Sequence, residues 1–411
     1  MKRKLIQQMR NEWRSNLWMG VELFIVGLVL WAIFFVLGIL GLIHEPPVCF
    51  DLTDIYCGNI NTLPDESEAR VEYTDSLHDE FTDLEVLLTN IRNNPYVESV
   101  GTGNNALPYN FNYTGNTLAA DIDGKRQQYN GNLRNMSPDF VRTIRLTGTH
   151  GESTEELAQM IADGKTIISE FETEPDDCDP DAWRGRETFW AYDSTRTEHI
   201  GAIIHGFRRS DYEPMFSGVI IQNNNSRWLP SLLAVRVKPG KGREFMESLT
   251  GASLEFGNVY ISNMQSIEHL RTTAHLNVST TIRNLTAGAI FVMTAVFLGF
   301  LGSFWYKTQQ RIPEVALRRT NGATAGDIMR RLLSEGMLLL IFAAIPTAAA
   351  GAFLINNIDP DEMAGLAIPL YVPIATFAAA VASLALMIAA GIWFPAVKAM
   401  KINPAEALKD Q

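Results

Sequence analysis

Residues 17–43 read LWMGVELFIVGLVLWAIFFVLGILGLI, with Glu22 as their one charged side chain. A hydrocarbon core of about 30 Å needs about 20 apolar residues, so this stretch is long enough to cross a bilayer with some tilt. A secretory signal peptide has an apolar region of only about 7–15 residues followed by a small-residue cleavage motif, and neither feature fits here. Three more apolar stretches follow at 285–306, 332–355 and 368–394, with Glu335 as their one charged side chain and each rich in Gly and Ala, which let helix backbones approach closely in lipid. Pro346 and Pro373 fall inside the last two and predict kinks, since neighbouring helices can satisfy the freed carbonyls.

Outward from these spans, charge sets an orientation. The segments 1–16, 307–331 and 395–411 together hold 14 Lys and Arg against 5 Asp and Glu, whereas 44–283 holds 20 against 36. The positive-inside rule therefore places both termini in the cytoplasm and the large domain outside, as four spans require. The formal charge of −12 over 411 residues and the mean hydropathy of zero are averages over these unlike parts. Three Cys, 18 Pro and 30 Gly exclude a disulfide-dense miniprotein and a collagen-like or disordered chain, and the acidic balance excludes a broadly basic nucleic-acid binder.

The expected organisation is a membrane protein of four transmembrane helices with a large α+β extracytoplasmic domain. An amphipathic cytoplasmic segment spans 1–16, the first span 17–43 and the outer domain 44–283. The second span covers 284–306, a cytoplasmic elbow 307–331, the third span 332–355, a short outer loop 356–367, the fourth span 368–394 and a cytoplasmic tail 395–411. Within the outer domain, VCFDLTDIYC (48–57), an amphipathic run with Leu77, Phe81, Leu84, Leu88 and Ile91, and Tyr96–Val100 read as strand, helix, strand. The same order returns at 231–237, 242–249 and 258–262. Two such units predict a split α/β subdomain flanking a β-rich insert at about 106–222, with strands near 165–168 and 200–204.

Catalytic patterns are scarce. Asp163-Gly164-Lys165-Thr166 lacks the earlier glycine of a phosphate loop, Gln159 standing in its place. Asp177, Asp179 and Asp181 match the first ligands of a calcium loop, but Ala182 and Thr188 stand where a Gly and a bidentate Glu are needed, which favours a solvated acidic turn. The seven His are scattered, so no metal site is expected. Cys49 and Cys57 lie eight residues apart beyond the first span, where either a local disulfide or two buried thiols would serve.

The segment between the second and third spans carries the most information. It reads RIPEVALRRTNGATAGDIMRR from Arg311 to Arg331. A short helix ending at Asn321-Gly322, then a second opened by Thr324 as a cap, makes an elbow that presents Leu317, Ile328 and Met329 beside charges, as a docking surface would. A basic loop that only anchors lipid headgroups needs cations but no fixed Gly-Ala turn.

The pattern R-x-x-E-V-A-L-R-R-x-x-G-A-T-x-x-x-I, on Arg311, Glu314, Leu317, Arg318, Arg319, Gly322, Ala323, Ile328 and the adjoining Met329, with Glu335 in the next span, resembles the MacB/FtsX-type permeases of ABC transporters. So does the tail, with Pro395, Ala396, Pro404, Ala407 and Leu408 in PAVKAMKINPAEAL. Ser137–Phe140, Lys165–Glu170, Gly201–Phe207 and Ala234–Gly240 resemble landmarks of the MacB-type periplasmic core domain. The resemblance implies a non-enzymatic permease subunit in the bacterial inner membrane, without a cofactor of its own, ATP and Mg being held by a separate ABC ATPase docked on the elbow. It implies a homodimer or a heterodimer with a paralogous permease, and a periplasmic adaptor with an outer-membrane channel as further partners. Export of a periplasmic substrate is the first reading; lipoprotein release or FtsX-like control of a periplasmic enzyme is the alternative.

Overall fold

A computed structural model describes residues 13–44, 49–73, 78–109, 114–170, 179–212, 218–223, 228–310, 317, 320, 322–357 and 368–400. The chain divides into a helical unit, Met1–Leu42 with Val278–Gln411, and a polar unit, Ile43–Asn277.

Four helices, Trp13–Ile43, Ile267–Gln310, Ala325–Asn356 and Tyr371–Met400, are long and apolar enough to cross a membrane. In the helical unit, Leu23, Leu30, Leu340, Leu384 and Ile388 are buried against one another, while Phe291, Phe342 and Leu386 remain exposed on the outside of the bundle. Trp31 is a keystone. Its indole N–H donates to the carbonyl of Pro373 at 3.2 Å, and its ring meets Phe377 edge-on at 6.1 Å. Gly351 faces the same ring so closely that a Cβ there would lie 1.6 Å from it.

The prolines behave differently from the sequence expectation. Pro373 is the third residue of its helix, where the backbone N–H has no intrahelical acceptor, so its absence costs nothing and demands no kink. Pro346 does sit in a helix interior, on the third span. The last helix runs on past its apolar part, Tyr371–Trp393, to Met400.

Among the described residues the polar unit forms one eleven-stranded sheet that folds back on itself. Its first part is antiparallel: β1 (Ile55–Thr62) pairs with β9 (Leu232–Val237) and β11 (Val259–Ser266). Strand β2 (Val97–Asn104) lies on the far side of β9, and the short β10 (Glu255–Phe256) edges β11. The helix Glu80–Arg92, capped by Asp79, covers one face. Leu84, Leu87, Leu88 and Ile91 meet Leu233, Val235 and Val237 there, while Leu232 and Ala234 point to the opposite, equally buried face. Of the apolar run read as this helix, Leu77 lies outside the described residues and Phe81 is exposed, while Leu87 joins Leu84, Leu88 and Ile91 on the buried face. The strand expected over 48–57 starts at Ile55: Asp51 caps Thr53 and Asp54 takes φ 56°, a turn that keeps 51–54 out of the ladder.

The remaining strands close a ring. Strands β3 (Gly115–Ile122), β4 (Lys125–Met136), β8 (Gly218–Gln222), β5 (Thr166–Ser169), β7 (Asp193–Ile204) and β6 (Glu187–Trp190) pair in that order, and β6 returns to β3. Closure removes the exposed edges that an open sheet of these strands would carry. The interior holds Leu118, Tyr129, Ile168, Trp183, Trp190, Ile203 and Ile220, all essentially inaccessible to solvent. Period-2 alternation sends Ile168 and Ile220 into this ring and Ile167, Val219 and Ile221 into the core shared with β1 and β9.

Cys49 and Cys57 both lie buried in that shared core, unbridged in this structure. Burial pushes both thiols up, Cys57 to about 12, and keeps them neutral.

Candidate functional site

The elbow's second helix is built as its residues dictate. Thr324 caps Ala325–Asn356: its hydroxyl accepts from the Asp327 N–H at 3.2 Å, and the Asp327 carboxylate accepts from the Thr324 N–H at 3.0 Å. Gly322 takes φ 88°, the left-handed conformation that ends a preceding helix and that a side chain resists. No atom lies within 4 Å of where its Cβ would stand, so the demand for glycine here is one of backbone conformation alone.

The apolar residues of the elbow divide. Leu317 is exposed, whereas Ile328 and Leu332 are buried in the core of the helical unit with Met329 packed against them. Ile328 and Met329 therefore anchor the elbow to the bundle instead of forming its surface. Glu335, seven residues beyond Ile328 on the same helical face, is buried too, and Ala396 is buried in the same core. Arg311, Glu314, Arg318, Arg319, Pro404, Ala407 and Leu408 lie outside the described residues, as does the side chain of Pro395.

A second constellation stands in the polar unit and was not singled out in the sequence. Asp211, 1% exposed, accepts from the Tyr109 hydroxyl at 2.7 Å and from Nε and Nη2 of Arg271 at 2.9 and 2.7 Å. Nε2 of His275, one helical turn beyond Arg271, lies 3.7 Å from the same carboxylate oxygen and makes no hydrogen bond. Tyr212 stacks on His44 at 4.6 Å and meets the His275 ring edge-on at 5.3 Å, and Arg208 donates to the Ile43 carbonyl at 2.7 Å. The segment 208–212 thus grips both the chain at Ile43–His44 and the first turns of the helix Ile267–Gln310.

Supporting parts hold this grip in place. Tyr109 takes φ 63°, uncommon for a bulky residue, and its N–H donates to the Arg209 carbonyl at 2.6 Å. Arg134, fully buried, donates to the carbonyls of Asn105 and Leu107 and lies over the Phe207 ring at 4.3 Å. Burial pulls the Arg134 guanidinium down to about 9. The Tyr109 phenol is pushed up by burial and by its bond to Asp211, so it stays a donor. A cleft of about 610 Å³ opens beside the grip, lined by Phe50, Asp54, Tyr56, Tyr109, Glu268 and Arg271. The signal open to sequence reading was the charge cluster Arg208-Arg209-Ser210-Asp211 together with Arg271 and His275 at helical i,i+4 spacing. Pairing 211 with 271, sixty residues apart, required the fold. No group of three His, Cys, Asp or Glu able to hold a metal occurs among the described residues.

Among the described residues, four apolar helices, a capped entry to the third and a large β-rich domain between the first and second in sequence make up the architecture. Residues 286–404 match the FtsX-like permease C-terminal family. A curated relative, the macrolide export ATP-binding/permease protein MacB 1/2 of Paracoccus denitrificans, is 28% identical over 142 residues, which are 34% of this chain and 21% of that protein. The match thus spans about a fifth of the length of the relative. Among solved structures, the extracellular domain of the noncanonic ABC-type transporter YknZ from Gram-positive bacteria aligns over 50% of this chain and 100% of its own, with a TM-score of 0.29 and 10% identity. Over 286–404 the chain is thus similar to the C-terminal domain of FtsX-like permeases, and 142 of its residues are similar to part of a MacB protein.

Proposed function

We propose that this chain is the permease subunit of a MacB-like ABC transporter, in which a separate ATPase docks on the elbow at 307–331. ATP-driven closure of the ATPases moves the four spans, and the motion passes to the β-rich domain on the outer side of the inner membrane. There it drives export of a substrate taken from the periplasm, together with an adaptor and an outer-membrane channel. The permease works as a dimer, with both termini in the cytoplasm. The observation that carries this reading is the family match over 286–404, which encloses the capped elbow helix and the last two spans.

Physical features support it. The elbow offers an exposed Leu317 ahead of a helix whose start is fixed by a capping box and whose first turns are packed into the bundle, so a push at the elbow is delivered to a rigid element. The described spans carry few charges, Glu22 and Glu335 among them, which suits a transmitter of motion better than a polar conduit. The test is purification of the full chain from native membrane, with mass spectrometry of what accompanies it and assay of ATP hydrolysis. An ABC ATPase together with an adaptor supports the proposal. A lipoprotein carrier or a cell-wall hydrolase in place of the adaptor refutes the export role, and the absence of any ATPase refutes the whole reading.

A further inference from the structure

We infer that Asp211 is the positioning residue through which the polar unit holds the helix Ile267–Gln310, and that ATP-driven motion enters the β-rich domain through this grip. The inference rests on the permease reading above and adds the residues that would transmit the motion.

Three observations carry it. First, Asp211 is a buried carboxylate whose three hydrogen bonds come from two separate places, Tyr109 on the turn after β2 and Arg271 on the helix. A buried charge held in this way is costly to release, because removing one partner leaves the other desolvated and unpaired. Second, the same five-residue segment takes hold of both chain ends of the polar unit: Arg208 on the Ile43 carbonyl, Tyr212 on His44 and His275, Asp211 on Arg271. Those ends are where the first and second spans join this unit in sequence. Third, the grip continues into the sheet. Arg209 pairs through its carbonyl with Tyr109, whose turn Arg134 of β4 holds from beneath, and β4 belongs both to the closed ring and to the β2 pairing. A displacement of Arg271 therefore loads β4 through hydrogen bonds and not merely through apolar contact, which would let the surfaces slide.

His275 sharpens the assignment. Its Nε2 is within 3.7 Å of Asp211 yet bonds to nothing, so the helix is held electrostatically by Arg271. Arg271→Lys should then fail to substitute, since a single ammonium cannot reproduce the two N–H groups that Nε and Nη2 direct at one oxygen.

The experiment uses the full chain in lipid nanodiscs with the ATPase that copurifies, comparing wild type with Asp211→Asn, Arg271→Lys and Tyr109→Phe by hydrogen exchange with and without ATP. In Asp211→Asn and Arg271→Lys, amide exchange over 267–277 should rise about tenfold or more while the ring strands keep their protection. Tyr109→Phe should raise it less. In wild type ATP should change the protection of 207–212, and in Asp211→Asn this change should vanish with ATP hydrolysis kept within about twofold; no change in wild type overturns the transmitting role. Unchanged exchange over 267–277 overturns the grip. Loosened exchange with the ATP-dependent change intact overturns its transmitting role while leaving the permease reading in place. A wild-type complex that hydrolyses no ATP overturns the permease reading itself, and this inference with it.

Discussion

Replacing Arg236 by Met should destabilise the polar unit by about 3–5 kcal/mol, the cost typical of stripping one partner from a buried ionic network. Arg236 stands on β9 at the one position of that strand's inner face that is not apolar, and it is 2% exposed. Its guanidinium makes four hydrogen bonds: Nε to the Thr143 carbonyl at 2.8 Å, Nη1 to Asp51 Oδ2 at 3.1 Å and to the Thr53 carbonyl at 2.8 Å, and Nη2 to the Asp51 carbonyl at 2.6 Å. Methionine fills much of the volume but donates nothing, so three carbonyls lose this donor at once and the Asp51 carboxylate keeps Arg145 and the Thr53 N–H. A buried acceptor left unmade costs about 1–3 kcal/mol, and partial rehydration keeps the total below the sum. For a unit of this size about 2–4 °C of Tm accompanies each kcal/mol, so the melting transition should fall by about 6–20 °C. Differential scanning calorimetry of the full chain in nanodiscs reads this directly. Arg236→Lys should recover only a minor part, because an ammonium cannot span Asp51, Thr53 and Thr143 together.

The pH dependence gives a second check. Burial pushes the Asp51 carboxyl up, but hydrogen bonds from Thr53 and the charges of Arg236 and Arg145 outweigh it and hold the group below its usual value. A depressed carboxyl contributes stability fully above the unfolded pKa of about 3.9 and loses it as pH falls through the folded value. The difference between wild type and Arg236→Met should therefore be constant near neutrality and narrow below about pH 4. A loss under about 1 kcal/mol at neutral pH would refute the reasoning, since it would show that these acceptors find water without cost.

Gly351→Leu should prevent correct assembly of the helical unit, seen as loss of monodisperse protein in size-exclusion chromatography, because a Cβ alone would meet the Trp31 ring at 1.6 Å. Trp31→Leu with Gly351→Ala should recover part of the yield, and equal yield for Gly351→Leu and wild type would refute the packing. Cys49 and Cys57 should resist thiol reagents in the native protein and both react after denaturation without reductant; their failure to react then would establish a disulfide. Thr324→Ala should cost the elbow helix about 0.5–2 kcal/mol through its lost cap. Gly322→Val should act through backbone strain alone, since its φ is 88° and the space is free. Both should weaken ATPase coupling while leaving the melting transition of the polar unit unchanged, and intact coupling in both would refute the elbow as the docking element.

Much of the architecture was legible because it depends on one-dimensional signals. Apolar length marks the four helices, and short, nearly continuous apolar runs such as 165–168, 200–204 and 231–237 mark strands whose both faces are buried. Boundaries were less legible where a turn overrides the pattern: Asp54 at φ 56° delays β1, and Asp79 rather than an earlier residue caps the helix that leaves Phe81 exposed. Pro373 shows the same limit, since a proline reads as a kink until its place in the first helical turn is known. In the elbow, the Thr324 cap and the glycine ending the preceding turn follow from local chemistry. That Ile328 and Met329 turn inward to the bundle follows from which helices surround them.

The sequence alone determined the four apolar helices, the polar domain between the first and second, and the capped entry to the third, because hydrophobic length, charge asymmetry and capping act within a few residues of chain. Tertiary structure alone decided the closure of six strands into a ring, the burial of Arg236 and Arg134, and the meeting of Asp211 with Tyr109 and Arg271. These depend on which distant strands pair and on which polar groups are then denied water, and neither is encoded in any local stretch.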